Sequence, residues 1–235
     1  MKKILYFFLA LSLLLPYQVW GANATEAFNY TATESLVGQG AADAEWGEAW
    51  TDGDCAADFT VQTGGQAGNT SSSVMDACDD RNLVAAVTNG HGSFYVKMVN
   101  AVNTFQVIFQ STGEVERILF NFVRVGVDSS VRVQNTTIGT WSAIAFKQLQ
   151  YEFGTDNTLS SETPCTANQV RANWDGGTWS ACLAFSNNGT VDQLNVVDGG
   201  SISGDGNLFD TFSLVDADAG GGAVIEAPSP IFIDF

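Results

Sequence analysis

Residues 93–134 of the 235-residue chain, SFYVKMVNAVNTFQVIFQSTGEVERILFNFVRVGVDSSVRVQ, decide the fold class. Within this stretch Val, Phe and Ile alternate with polar residues over short runs, and Gly, Asn, Asp and Ser separate the runs. Alternation with a period of two is typical of strands that bury one face. The pattern therefore predicts four consecutive strands, at 93–99, 105–110, 116–125 and 130–134.

The same pattern extends in both directions from this stretch, and helical periodicity is nearly absent. Further strands are predicted at 27–31, 59–63, 83–87, 141–146, 148–153, 169–174, 180–185, 193–197, 209–215 and 230–235. Because no helical segments separate these strands, parallel βαβ units are excluded. The sequence predicts an all-β protein, an antiparallel two-sheet β-sandwich whose first and last predicted strands, 27–31 and 230–235, pair with each other.

Residues 1–24 have the composition of a signal peptide. Lys2 and Lys3 precede an apolar run at 4–15, and an A-x-A signal ends at Ala24. We expect cleavage after Ala24 and one β-sandwich domain over residues 25–235, secreted or held at the cell surface. The apolar run is shorter than the ~20 residues of a membrane span, so we expect no membrane insertion of the mature chain.

The chain is strongly acidic, with 26 Asp and Glu against nine Lys and Arg and a formal net charge of −17. Without Lys2 and Lys3, seven basic residues face the same 26 acidic ones, which leaves −19. A negative field of this size repels polyanions, so nucleic acid is excluded as a partner.

All four cysteines, Cys55, Cys78, Cys165 and Cys182, lie in the exported part, where disulfides form. Three pairings are possible, and proximity along the chain favours Cys55 with Cys78 and Cys165 with Cys182. A zinc site is the alternative, but its characteristic C-x2-C spacing is absent.

The N-terminal part of the predicted domain carries a series of aromatic and glycine residues at characteristic spacing. These residues are Glu26, Phe28, Tyr30, Leu36, Gly38, Gly40, Trp46, Gly47 and Trp50. The series resembles the opening of exported bacterial domains of the concanavalin A-like lectin/glucanase superfamily, particularly laminin-G-like ones. The resemblance implies a two-sheet jelly roll, carbohydrate binding or adhesion, and in some members a structural calcium.

Catalytic residues are hard to find in this sequence. Glycosidases of the superfamily carry two carboxylates on one strand as E-x-D-x-x-E, and that motif is absent. The nearest approach is Glu45 and Glu48 around Trp46, and the single histidine, His91, has no G-x-S-x-G partner motif. The sequence therefore favours a protein without enzymatic activity, with a divergent glycosidase that uses Glu45 or Glu48 as the third hypothesis.

Acidic residues near the C-terminal end suggest a calcium site. Calcium takes six to eight oxygen ligands, and closely spaced Asp and Asn residues supply them. The candidate ligands are Asp205, Asn207, Asp210, Asp216 and Asp218. The alternative is an acidic surface that keeps an exported protein soluble without a metal.

The segment from Trp174 to Trp179 is the candidate carbohydrate site. Trp174, Asp175 and Trp179 flank two glycines at a predicted hairpin tip next to Cys165 and Cys182. Tryptophan rings stack on sugar faces while short polar groups bind hydroxyls. We therefore expect a non-catalytic β-sandwich that binds a neutral glycan or another cell-surface ligand, and the second hypothesis is a structural surface or matrix protein.

Overall fold

The computed structural model describes residues 23–41, 45–53, 55, 57–68, 76–98, 102–111, 117–125, 128–140, 145–185, 190–199 and 207–219. The strands are β1 Ala24–Glu26, β2 Thr51–Asp52, β3 Thr60–Gln62, β4 Gln66–Gly68, β5 Asp76–Val87, β6 Gly90–Lys97, β7 Val102–Gln110, β8 Arg117–Val125, β9 Asp128–Val133, β10 Thr136–Thr140, β11 Lys147–Phe153, β12 Gln169–Trp174, β13 Leu183–Ala184, β14 Val191–Gly199 and β15 Leu208–Asp216. A single 3₁₀ turn, Ala217–Ala219, follows β15 within the described residues.

The strands form two antiparallel sheets. The first sheet has the order β13-β12-β11-β6-β15-β4-β3, with β1 also paired to β15. The second has the order β10-β9-β8-β7-β14-β5-β2. This arrangement is the all-β, two-sheet sandwich predicted from the alternating pattern.

Aromatic side chains from both sheets form the core. Phe94 on β6 of the first sheet packs against Phe120 and Phe122 on β8 of the second, with ring centroids 5.5 and 6.0 Å apart. Tyr151 on β11 lies 4.9 Å from the ring of Phe109 on β7. Inward positions on most strands are apolar and alternate with outward polar ones, which explains the period of two in the sequence.

The ends of the predicted fold differ from expectation. The first strand is Ala24–Glu26 rather than 27–31, because Phe28 adopts a φ of 49° that ends the extended backbone. This strand pairs with β15, Ala24 opposite Leu214. The predicted cleavage point after Ala24 falls inside β1, and the predicted last strand at 230–235 lies outside the described residues.

Both favoured disulfides are present. Cys55 bonds to Cys78 and Cys165 to Cys182, with Cα atoms 5.4 and 5.7 Å apart. A four-cysteine zinc site is therefore excluded. Among the described residues, no helix has the length and apolar character needed to cross a membrane.

Candidate functional site

The outer face of the second sheet carries an unusual set of amide side chains. On β7, Phe105, Val107 and Phe109 belong to the core, so the intervening side chains of Gln106, Ile108 and Gln110 point outward. Ile108 is only 5% exposed, yet it is not part of the core cluster. The outer face is therefore sheltered at its centre.

Strand register aligns the outward residues into rows. Gln193 on β14 lies between Asn82 on β5 and Gln110 on β7. Asn195 lies between Asp80 and Ile108 in the next row, and Gln106 is opposite Asn121 on β8. We call the six amide residues of these rows the amide face: Asn82, Gln106, Gln110, Asn121, Gln193 and Asn195.

A continuous hydrogen-bonded chain runs from one row of the amide face to Asp80 in the next row. Gln110 Nε2 donates to Gln193 Oε1 at 2.6 Å, and Gln193 Nε2 donates to Asp80 Oδ2 at 3.1 Å. The hydroxyl of Thr51 also donates to Asp80. Because each amide is held by its neighbour, this chain presents a fixed pattern of donors and acceptors.

Three acceptors of the amide face lack protein partners. The Oδ1 atoms of Asn82, Asn121 and Asn195 are buried and have no hydrogen-bond partner among the described residues. A buried acceptor without a partner is unfavourable by about 1–3 kcal/mol. A hydroxyl donor of a ligand satisfies such an atom only if the side chains that cover it move aside.

The amide face lacks the groups that glycoside hydrolysis needs on one strand. The outward residues Gln106, Ile108 and Gln110 of β7 are two amides and an aliphatic side chain. An amide can neither donate a proton as a carboxylic acid does nor attack as a carboxylate. This strand can bind polar groups but offers no acid and nucleophile pair.

The segment from Trp174 to Trp179, predicted as a carbohydrate site, forms a turn. Asp175 and Gly176 have φ values of 52° and 72°, and Gly177 N donates to Trp174 O at 2.9 Å, which makes a tight turn. The Asp175 carboxylate pairs with Lys147 Nζ at 2.5 Å. Trp179, half-buried after this exposed turn, keeps part of its surface open.

Trp174 does not offer a ring face to a ligand. Its side chain is 8% exposed and its ring lies 5.6 Å from that of Phe122 in the core. Val170 and Ala172, four and two residues earlier on β12, are buried on the same face. The expectation of an exposed Trp174 fails because strand alternation places this position inward.

The structure does not bring the predicted calcium ligands together. Asp205 lies outside the described residues, and Asn207 donates from Nδ2 to Asp198 Oδ1 at 2.9 Å. Asp210 and Asp216 lie six positions apart on β15, about 20 Å along an extended strand. Asp218 accepts hydrogen bonds from Thr88 and Asn89. Within the described ranges, no three His, Cys, Asp or Glu side chains are placed to hold a metal ion.

Trp46 and His91, on which the other catalytic hypotheses depend, are buried. Trp46, between Glu45 and Glu48, is 1% exposed, so it cannot stack on a sugar. His91 lies in β6 rather than in a turn, 4% exposed, with Nδ1 at 2.5 Å from Asp156 Oδ2. Burial raises the pKa of the Asp156 carboxyl, whereas hydrogen bonds from His91 and Thr158 lower it. The net effect is a pKa below its ordinary value.

Sequence reasoning missed the amide face. The alternation of Gln106, Ile108 and Gln110 with three core residues was visible in the sequence. Which strands are neighbours was not, because β5, β7 and β14 are far apart along the chain. Only the sheet order assembles their amides on one surface.

Comparison with known proteins defines the fold. No protein-family model matches the chain, and no curated protein matches it. Among solved structures it is similar to the apo form of Crh5 transglycosylase, with a TM-score of 0.53 and 10% identity over 85% of this chain and 86% of that one. It is also similar to an uncharacterized protein from Mycobacterium paratuberculosis, with a TM-score of 0.50 and 9% identity over 81% and 99%.

A Bacillus licheniformis β-glucanase also matches, with a TM-score of 0.49 and 10% identity over 83% of this chain and 98% of that one. At such identities the similarity concerns the fold alone. The described strands form a concanavalin A-like jelly roll, which confirms the fold that the N-terminal resemblance implied.

Proposed function

We propose that this protein is an exported, non-catalytic carbohydrate-binding protein that holds a neutral glycan on the amide face. The observation that carries the proposal is the set of aligned amides with three unpartnered acceptors at Asn82, Asn121 and Asn195. A neutral glycan supplies hydroxyl donors for these acceptors without requiring a charged partner.

The character of the face supports a binding role. Its central residues are nearly enclosed, Gln110 being 3% exposed and Gln193 and Asn195 each 8%. Ordered amides in a sheltered site bind hydroxyls more strongly than freely hydrated ones, because fewer rotamers are lost and less water competes. The Ile108 side chain adds an apolar contact in the row of Asn195.

The fold and the disulfides agree with this role. Crh5 is named a transglycosylase, so a protein of similar fold acts on glycans. The two disulfides support a location outside the cytoplasm. Trp179 and Asp175 are proposed as a second contact for an extended glycan, and calcium binding stays a prediction.

Binding is tested by isothermal titration with cellohexaose and laminarihexaose, and with alginate as an anionic comparison. We expect a neutral oligosaccharide to bind, alginate to fail, and no reducing ends to be released on long incubation. The double variant Asn121→Ala/Asn195→Ala should weaken binding at least tenfold, because two hydroxyl acceptors are removed.

A matched control is Gln150→Ala. Gln150 is an amide in β11 of the first sheet, where its side chain faces outward between the core residues Leu149 and Tyr151. This variant should bind like the unaltered protein. Failure of the folded protein to bind any neutral glycan on an array, with and without calcium, would contradict the proposal, and so would equal binding by both variants.

A further inference from the structure

Between two buried aromatic anchors, the described residues lie alongside β5. Trp50 and Phe59 are 1% and 0% exposed, whereas none of the described residues between them is buried. We call the described residues of this segment, 51–53, 55, 57 and 58, the flap. Elements with few buried contacts open locally at a lower free energy than the core does.

Backbone hydrogen bonds and a disulfide attach the flap to β5. Gly53 N donates to Cys78 O at 3.2 Å, and Cys78 N donates to Ala57 O at 3.1 Å. The Cys55–Cys78 disulfide joins the two covalently. A flap that loses its hydrogen bonds would therefore remain attached through this bond and could return to the same place.

A buried carboxyl lies beside the flap, where Phe59 anchors it. Asp79 is 0% exposed, and Phe59 N donates to its Oδ2 at 3.1 Å. Its Oδ1 is buried without a hydrogen-bond partner. Burial raises the pKa of Asp79 to about 8, with Asp58, Asp52 and Asp80 adding to the increase. The carboxyl is therefore mostly protonated at neutral pH.

The charged groups around Asp79 do not favour its ionisation. Asp52 is directly opposite Asp79 in the β2–β5 register, and Asp58 is the last residue of the flap. On the other side, Val196 of β14 is opposite Asp79, and Asp198 follows two residues later. The nearest guanidinium on β5, that of Arg81, is held by Glu26 and by the carbonyls of Ala41 and Glu48.

We propose that Asp79 is a proton-operated latch that keeps the flap closed while its carboxyl is protonated and releases it on ionisation. Ionisation places a negative charge among three other carboxyl groups, and opening of the flap lets water reach that charge. The latch does not depend on the glycan proposed above. It borders the amide face, because Thr51 of the flap donates to Asp80, which also accepts from Gln193.

The direction of the pH dependence follows from linkage. In the open flap Asp79 is hydrated and ionises near its ordinary pKa of 3.8, whereas in the closed flap its pKa is about 8. The closed state thus binds the extra proton between these values. Opening therefore becomes more favourable as pH rises, approaching tenfold per pH unit, and levels off above about pH 8.

Native-state hydrogen exchange by NMR tests the latch on the full mature protein. The reporters are the amides of Gly53 and Cys78, with the β7 amides as the reference for global opening, all corrected for intrinsic exchange rates. Between pH 5 and pH 8 we expect the two reporters to be less protected than β7 and to lose protection steeply. In Asp79→Asn the reporters should show no such pH dependence.

Two further variants keep the test decisive if Asp79→Asn does not fold. Asp58→Asn removes one repelling carboxylate, so the loss of protection should level off at a lower pH. Glu162→Gln removes an exposed carboxylate between β11 and β12 and should leave the profile unchanged. Three results would overturn the latch. One is protection of the reporter amides equal to that of the β7 amides. The others are a pH response that persists in Asp79→Asn and a pH response that Asp58→Asn leaves unaltered.

Discussion

A single carboxylate, that of Glu26, connects the N-terminal residues that resemble the superfamily. Its Oε1 accepts from Phe28 N at 2.8 Å, and its Oε2 accepts from Tyr30 Oη, Trp50 Nε1 and Arg81 at 2.7, 3.0 and 2.5 Å. Arg81 also lies over the Trp46 ring, 4.5 Å from its centroid. The characteristic spacing thus reflects packing around one buried ion pair rather than a ligand site.

Arg81→Met should therefore be strongly destabilising. The Arg81 and Glu26 side chains are 3% and 5% exposed, and removal of the cation leaves an unpaired buried carboxylate. We expect the free energy of unfolding to fall by about 3–5 kcal/mol, measured by urea denaturation.

The double variant Glu26→Gln/Arg81→Met is the control for Arg81→Met. It removes both charges, so it should recover part of the lost stability. A single variant within 1 kcal/mol of the unaltered protein would show that the pair contributes no more than a surface ion pair.

At the residue scale, the sequence predicted which cysteines bond better than it predicted which side chains point inward. Both disulfides followed from proximity, since short loops bring their ends together at little entropic cost. The burial of Trp174 could have been predicted, because residues at even spacing from Val170 and Ala172 on one strand share a face. The separation of Asp210 from Asp216 could also have been predicted, because the predicted strand at 209–215 already spans the distance between them.

At the scale of elements, β6 and β15 approach each other unusually closely at Gly92. A Cβ atom there would lie 1.9 Å from Ser213 O and 2.6 Å from the Tyr151 hydroxyl, which itself donates to Ser213 O. Because the obstructing atom belongs to the backbone, it cannot rotate away. A glycine is required at this position by the approach of two central strands.

Gly92→Ala should consequently separate β6 from β15. We expect a loss of about 3 kcal/mol, the upper part of the usual range for overpacking, with a lower melting temperature by circular dichroism. Ser93→Ala, at the next and outward-facing position, is the control and should change stability by less than about 1 kcal/mol. Equal melting temperatures for the two variants would argue against this account.

Strand existence was predictable at this scale, but strand bounds and partners were less so. The alternating runs predicted β6, β7, β8 and β12 near their observed positions. The edge strand β10, Thr136–Thr140, was missed because its exposed threonines give no apolar alternation. The β5 strand starts before its predicted position because Asp79 and Arg81 occupy inward positions, which a hydrophobic pattern cannot identify.

At the scale of the whole molecule, buried acids should make stability decrease with pH. Burial raises the pKa of Asp79 to about 8 and that of Asp210 to about 6. Both groups bind a proton in the folded state that the unfolded chain releases near pH 3.8. Their contribution to the free energy of unfolding is fully present below that pH and is lost as pH rises through each folded-state pKa.

We expect the free energy of unfolding to fall between pH 4 and pH 8 by up to about 1.4 kcal/mol per pH unit for each participating carboxyl. Both carboxyls contribute up to about pH 6, and Asp79 alone contributes between pH 6 and pH 8. Urea titrations at each pH measure the profile, and Asp79→Asn and Asp210→Asn should each flatten their own part. A stability that rises from pH 5 to pH 8 would contradict the assignment.

The overall arrangement followed from composition, whereas the topology required the structure. A two-sheet sandwich was predictable because the strands bury one face each and no helices intervene. The pairing of β1 with β15 was not, since the sequence favoured a different pair of segments, 27–31 and 230–235. Alternation identifies the face that a strand buries but carries little information about its neighbours.

The position of β15 has a consequence for how the chain acquires its fold during synthesis. This strand lies in the middle of the first sheet, bonded to β6 on one side and to β1 and β4 on the other. Residues 24–26 thus pair with residues 212–214, which are among the last of the described residues to be synthesised. Until then the sheet is divided into two halves with open edges, and open edges of this kind can pair with another copy of the chain.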